Sequence, residues 1–274
     1  MSQLFSISVP DLGRHRTATI AAVALLPVIL PSVYVVYLNW AVQRTTTCSS
    51  GQLSQPTTTT TSSSASSSSS SSRAPPSTPK SIPKDVLARP EDWVVCYERV
   101  VSRPIPAATL VHKLVRGSEA SSPSPLFTTY LRATFRAFSW TPQAFLIRGM
   151  LAEPERKATF GGAHMDTLSF ADGDVVDGVY KVTSYEQGRG RSAEVVELSI
   201  DTPRSYKGPP VRGLILSALE EEQHGAVVRF VNETWLWRKR DEKPTLLESG
   251  LGKWFHSLLA GWLVIKGLGA VTRK

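Results

Sequence analysis

One long unbroken apolar run and two different apolar spacings divide the chain. The run, TATIAAVALLPVILPSVYVVYLNWAVQ from Thr17 to Gln43, has tyrosine as its only ionisable side chain, in a sequence where 20% of residues are charged. A helix needs about 20 apolar residues, at about 1.5 Å each, to cross the hydrocarbon of a bilayer. A cleaved secretory signal would have a shorter apolar core followed by small residues, whereas this run ends with Tyr34, Tyr37, Asn39 and Trp40, the pattern of an interfacial aromatic belt. The expectation is a retained transmembrane anchor over 17–43. Pro27 and Pro31 each remove a backbone hydrogen bond and bend it, and a short cytoplasmic or matrix-facing segment occupies 1–16.

Residues 44–84 lose the apolar pattern altogether. TTTTTSSSASSSSSSS followed by RAPPSTPKSIP cannot bury apolar surface, and reads as a disordered Ser/Thr/Pro-rich linker with the composition of an O-glycosylated stalk.

A globular α+β domain is expected over 85–274. WVVCYERVV (93–101) reads as a first strand stopped by SRPIP, and Pro106 opens a predicted short helix with Leu110, Val111 and Leu114 on one face. In LFTTYLRATFRAFSW, Phe127, Tyr130, Leu131, Thr134, Phe135 and Phe138 recur at three and four, the spacing of an amphipathic helix. Thr141-Pro142 and Pro154 start two more helices, the second ended by Gly161 and Gly162. The period then changes to two. DVVDGVYKVTSYE, SAEVVELSID, VRGLILSAL and AVVRFVNETWLWR are predicted antiparallel strands, DTLSF a possible fifth, and Glu220, Glu221 and Glu222 a solvated hairpin tip. A last apolar stretch from Trp254 to Val271 carries His256, Lys266 and several glycines, and reads as a long helix packed on the sheet in preference to a second membrane span.

This order, strand, helices, antiparallel strands and a long final helix over 93–271, resembles the helix-grip architecture of the START and polyketide-cyclase-like superfamily, the late VRFVNETWLWRK strand and GKWFHSLLAGWLVIKG carrying most of the likeness. The chain is also similar to uncharacterised membrane-anchored proteins of filamentous fungi. The helix-grip resemblance implies a curved sheet wrapped on the last helix around an apolar cavity. It supplies no universal catalytic residues.

The net charge of +8 is spread along the chain, so no nucleic-acid groove is expected. Arg14 and Arg16 before the run, against Arg44 alone just after it, orient the N-terminus to the cytoplasm. The expected address is a secretory-pathway membrane with the C-terminal domain lumenal or extracellular. A serine-containing start with Arg14, His15, Arg16 and one acid makes a mitochondrial membrane the alternative. Cys48 and Cys96 are too few for a disulfide framework and are expected free.

No metal site and no cofactor is expected: the five histidines are scattered and only His164 and Asp166 lie close. No nucleophile elbow, P-loop or dinucleotide fingerprint is present. GRGR at 188–191 reads as a hairpin turn. Three acids could transfer protons if desolvated, namely Asp177, Glu197 and Glu233, although alternation favours placing them on the solvent face, opposite a core of Tyr180, Val182, Val196, Leu198, Phe230 and Leu236. Tyr180, Phe230, Trp235 and Trp262 could line a pocket for a hydrophobic ligand. Asn232-Glu233-Thr234 matches a glycosylation sequon. The leading functional expectation is a membrane-anchored domain that binds or carries a hydrophobic small molecule or lipid. The alternatives are a cavity enzyme of cyclase, hydratase or thioesterase type, or a non-catalytic subunit of a membrane complex.

Overall fold

The computed structural model describes residues 16–53, 76–114, 122–189 and 192–273. The chain divides into two compact units, 1–41 and 42–274. The first contains most of helix α1 (Arg16–Thr45), whose Val33, Tyr34, Val36, Tyr37 and Trp40 are exposed. The second is an α+β unit built on one antiparallel sheet.

Helix α1 passes without an intervening residue into β1 (Thr46–Gln52), followed later by α2 (Lys84–Ala88), β2 (Trp93–Ser102) and the two-residue β3 (Ile105–Pro106). A helical block comes next: α3 (Pro125–Phe138), α4 (Pro142–Met150), α5 (Pro154–Ala158) and α6 (Gly162–Thr167). Then β4 (Val175–Val176), β5 (Tyr180–Arg189), β6 (Ser192–Ile200), β7 (Gly213–Glu222) and β8 (Val227–Lys239) form a meander, and α7 (Gly250–Val271) ends the chain. The sheet order is β1-β2-β8-β7-β6-β5-β4, with β3 beside β8, so the last strand returns to the first long one.

The helix starts are set by local chemistry. Ser124 accepts from the Phe127 amide at 3.3 Å and is followed by Pro125, Thr141 accepts from the Ala144 amide at 3.2 Å before Pro142, and Ser249 accepts from the Gly252 amide at 3.0 Å. Helix α3 then buries the predicted stripe, Phe127, Tyr130, Leu131, Thr134, Phe135 and Phe138.

Both faces of the sheet are covered. On one face, Val100, Val196, Leu198, Leu219 and Phe230 form a cluster with α3 and with Val264, Leu268 and Val271 of α7. On the other, Trp93, Val95, Leu214, Val231, Trp235 and Trp237 pack with Ile82 and Val86. The segment 80–86 therefore acts as a strap across the outer face. The Lys80 and Ser81 amides donate to the Glu197 carboxylate at 2.9 and 2.7 Å, and Lys80 pairs with Glu186.

Several expectations are revised. Within the stretch read as a linker over 44–84, Thr46–Gln52 is a sheet strand and the strap is docked, because backbone pairing on the open edge of β2 asks little of side-chain apolarity; the Ser/Thr run itself lies outside the described residues. The helix predicted after Pro106 shrinks to a 3₁₀ turn, Ala107–Thr109, since β3 and the Leu110–Thr272 bridge engage the chain on both sides. DTLSF is no strand: α6 takes its first two residues, and Phe170 is left-handed at φ 55°. The triple glutamate belongs to β7, with the turn displaced to residues 223–225. Helix α7 is long and apolar enough by length and composition to cross a bilayer, and it packs against α3 and β2.

Candidate functional site

Burial along the helix-side face of the sheet is uneven. In β8, Val228, Phe230 and Asn232 are buried, while Thr234, Leu236 and Arg238 are half-buried; Ile200 and Ile215 open in the same way at the matching level of β6 and β7. The helices explain the gradient. Helix α7 starts at the Arg238 end, where Arg238 holds Glu248, and finishes beside β3, where Leu110 bridges Thr272. Helix α3 runs the other way, its start fixed by Glu194, which accepts from the Ser124 amide and hydroxyl, and its end reaching Tyr180. The two pack tightly where Gly267 meets Tyr130 and Thr134. Toward the other end Thr234, Leu236, Ile215 and Ile200 on this face are only partly buried.

Two sets of buried polar groups lie at that level. Asp177, in the tip between β4 and β5, is 0% exposed and left-handed at φ 46°. Its Oδ1 accepts from the Ser139 hydroxyl at 2.6 Å, and its Oδ2 has no partner among the described residues. Burial pushes this carboxyl up to about 7, and the Ser139 bond only partly offsets the rise. Glu98, on β2 opposite Thr234, is 1% exposed. One of its oxygens contacts His256 Nδ1 at 2.9 Å and the other accepts from the Ser257 hydroxyl at 2.8 Å. A carboxylate fixing Nδ1 orients the ring so that Nε2 is the nitrogen left for proton transfer. The Cys48 thiol donates to the Ser257 oxygen at 3.3 Å, but burial pushes it up to about 11, so it rests as a neutral thiol. The two cysteines are free, opposite Val100 and Gln52 in the β1–β2 ladder.

All three acids predicted for the solvent face are buried. Glu197 and Glu233 sit in strands that are apolar on both faces, and the strap covers the second. Only Asp177 reaches the helix side. Glu197 is consumed in gripping the strap. Glu233 pairs with Arg99, which also holds Glu220, and accepts from Trp235 Nε1 at 2.8 Å. Burial pushes the Glu233 carboxyl up while Arg99 pulls it back. The four aromatic candidates do not share a pocket. Tyr180 and Phe230 lie on the helix side, Phe230 stacked on Tyr130 at 4.4 Å, and Trp235 lies on the opposite face against Tyr97. Trp262 is half-buried on α7 under Lys266. Asn232 of the sequon is buried, its Oδ1 accepting from Tyr130 and Ser217 at 3.2 and 3.1 Å. His164 bonds the Val175 carbonyl, Asp166 pairs with Arg136, and no metal-binding cluster occurs among the described residues.

Glu98, His256 and Ser257 were outside the sequence candidates. Their one signal is an acid at an inward position of β2, which only the strand pairing turns into a contact with α7. No protein family, no curated protein and no solved structure matches this chain.

Proposed function

We propose that this is a membrane-anchored protein whose α+β unit binds an amphiphilic hydrophobic molecule, a lipid in the simplest case, in the groove between the first half of α7 and the sheet. The observation that carries the reading is the partial exposure of Thr234, Leu236, Ile215 and Ile200 on the helix side of the sheet, which also holds Glu98–His256 and Asp177. A few convergent polar groups in an apolar concavity are what orients an amphiphile. The helix-grip reading is supported by connectivity: β8 closes on β2, the helical block lies between β2 and the meander, and α7 crosses the same face. Anchoring is supported by the uncharged run of α1 and its exposed aromatic end.

A second reading, an enzyme acting in the same groove, is favoured by the unpartnered Asp177 Oδ2, since a carboxyl raised to about 7 exchanges protons near neutrality.

The test is extraction of the full chain from membranes of its own host, followed by mass spectrometry of bound small molecules. A lipid should accompany the wild type and be lost from Ile215→Trp and Leu236→Trp, which fill the groove, while thermal unfolding confirms that both variants fold. A wild type without ligand, or filled variants that retain it, would overturn the reading. Conversion of the bound molecule that stops in Asp177→Asn would assign an enzyme.

A further inference from the structure

The strap meets the sheet as a bound peptide does, through a main-chain grip and a few side-chain anchors. Glu197 is 0% exposed, and its two oxygens accept from the consecutive Lys80 and Ser81 amides at 2.9 and 2.7 Å. The Ser81 hydroxyl lies 2.8 Å from that of Thr183, and Lys80 pairs with Glu186. Pro79, Ile82 and Val86 are buried, while Lys80, Pro83, Lys84, Asp85, Leu87 and Ala88 remain exposed. Three buried side chains offset little of the entropy of ordering such a segment, so the strap is held less firmly than the strands beneath it.

The surface under the strap is rich in aromatic rings. Ile82 and Val86 share one cluster with Trp93, Trp235 and Trp237, and Tyr97 packs against Trp235 at its edge. Aromatic-lined surfaces are where extended, proline-rich segments dock. The strap has that form: Pro76, Pro79 and Pro83 punctuate it, and Pro83, at φ −56° and ψ 138°, is close to polyproline II geometry. The strap of a second copy is a poor competitor for this surface, because only residues 87–92 join Val86 to β2, and Arg240 holds the Glu91 and Pro90 carbonyls at 2.6 and 3.2 Å. A segment of another protein carries no such restraint.

We infer that the outer face of the sheet is a binding site for an extended, proline-punctuated segment of another protein, one with a cation and a small residue ahead of an aliphatic anchor, and that residues 79–86 fill it as an internal competitor. The site lies on the face opposite α3 and α7, so it is independent of the ligand reading above.

The probe is a fluorescent peptide of residues 76–88, added to the full chain in detergent. Ile82→Ser with Val86→Ser in the protein removes both aliphatic anchors of its own strap. This double variant should bind the peptide at least about tenfold more tightly than the wild type, whose tethered strap competes. A carbodiimide should couple Lys80 of the peptide to Glu186, and the same peptide carrying Ile82→Ser should bind about tenfold more weakly. In the wild type without peptide, hydrogen exchange should be at least about tenfold faster at the Lys80 and Ser81 amides than at the paired amides of β6. No binding by the double variant, binding indifferent to Ile82 of the peptide, or coupling away from Glu186 overturns the site. A double variant that no longer unfolds cooperatively, or equal protection of strap and β6, also overturns it, because either makes the strap part of the core. A two-copy species coupled through the strap overturns the assignment to another protein.

Discussion

Asp177 sets the most specific expectation at the scale of single residues. Its carboxyl titrates near 7 in the folded protein against an ordinary 3.8, because burial disfavours the charge more than Ser139 supports it. The folded state therefore holds a proton that the unfolded chain releases, and stability falls as pH rises from about 4 to about 7, then levels. Asn keeps an acceptor for Ser139 and carries no charge. Asp177→Asn should exceed the wild type by more than about 2 kcal/mol above pH 7 and lose the advantage near pH 4, since each pKa unit is worth about 1.4 kcal/mol. Denaturant unfolding across that range reads the difference; a constant gap between the two proteins would contradict the assignment. The sequence made Asp177 a candidate as an acid within a strand-like stretch, placed by alternation opposite Tyr180 and Val182. It gave no hint of the left-handed backbone or the orphaned oxygen, which arise from the packing of the hairpin tip on Ser139.

Among elements, the ones with strong local signals were legible and the ones made by pairing were not. The stripe of α3, the Thr-Pro start of α4 and the four long strands of the meander all follow from spacing and punctuation in the residues themselves. Strand β1, TTCSSGQ, has no apolar period and forms because β2 offers an unpaired edge. The strap has two apolar anchors, Ile82 and Val86, too few to show as a pattern. A glycine in a helix can be a weak point or the site of a close approach, and its residue type does not say which. The structure separates the cases. A Cβ on Gly267 would collide with the Tyr130 ring and Thr134, whereas one on Gly269 meets nothing within 4 Å. Gly267→Ala should cost about 1–3 kcal/mol of stability through overpacking. Gly269→Ala should gain up to about 1 kcal/mol from helix propensity. Thermal unfolding of the pair checks both signs.

For the whole molecule, the sequence supplied the class, an antiparallel α+β unit with a long apolar last helix, and misjudged what lies on the second face of the sheet. Strands such as VVRFVNETWLWRK are apolar at both parities, which alone signals two covered faces, but the cover comes from a segment whose composition announces nothing. The same covering explains why Glu197 and Glu233 hold structure together on the strap side, while Asp177 and the unanticipated Glu98–His256 pair lie on the helix side.

The route of the chain around residues 54–75 has a further result. Before that stretch the polypeptide is laced to β2 from Thr46 to Gln52, and after it Lys80 and Ser81 are clasped by Glu197. A protease site inserted there and cut should yield two polypeptides that co-elute in native buffer and separate only in denaturant, making the protein a natural split-fragment pair. Separation without denaturant would show that the β1 ladder is too weak to keep the pieces joined.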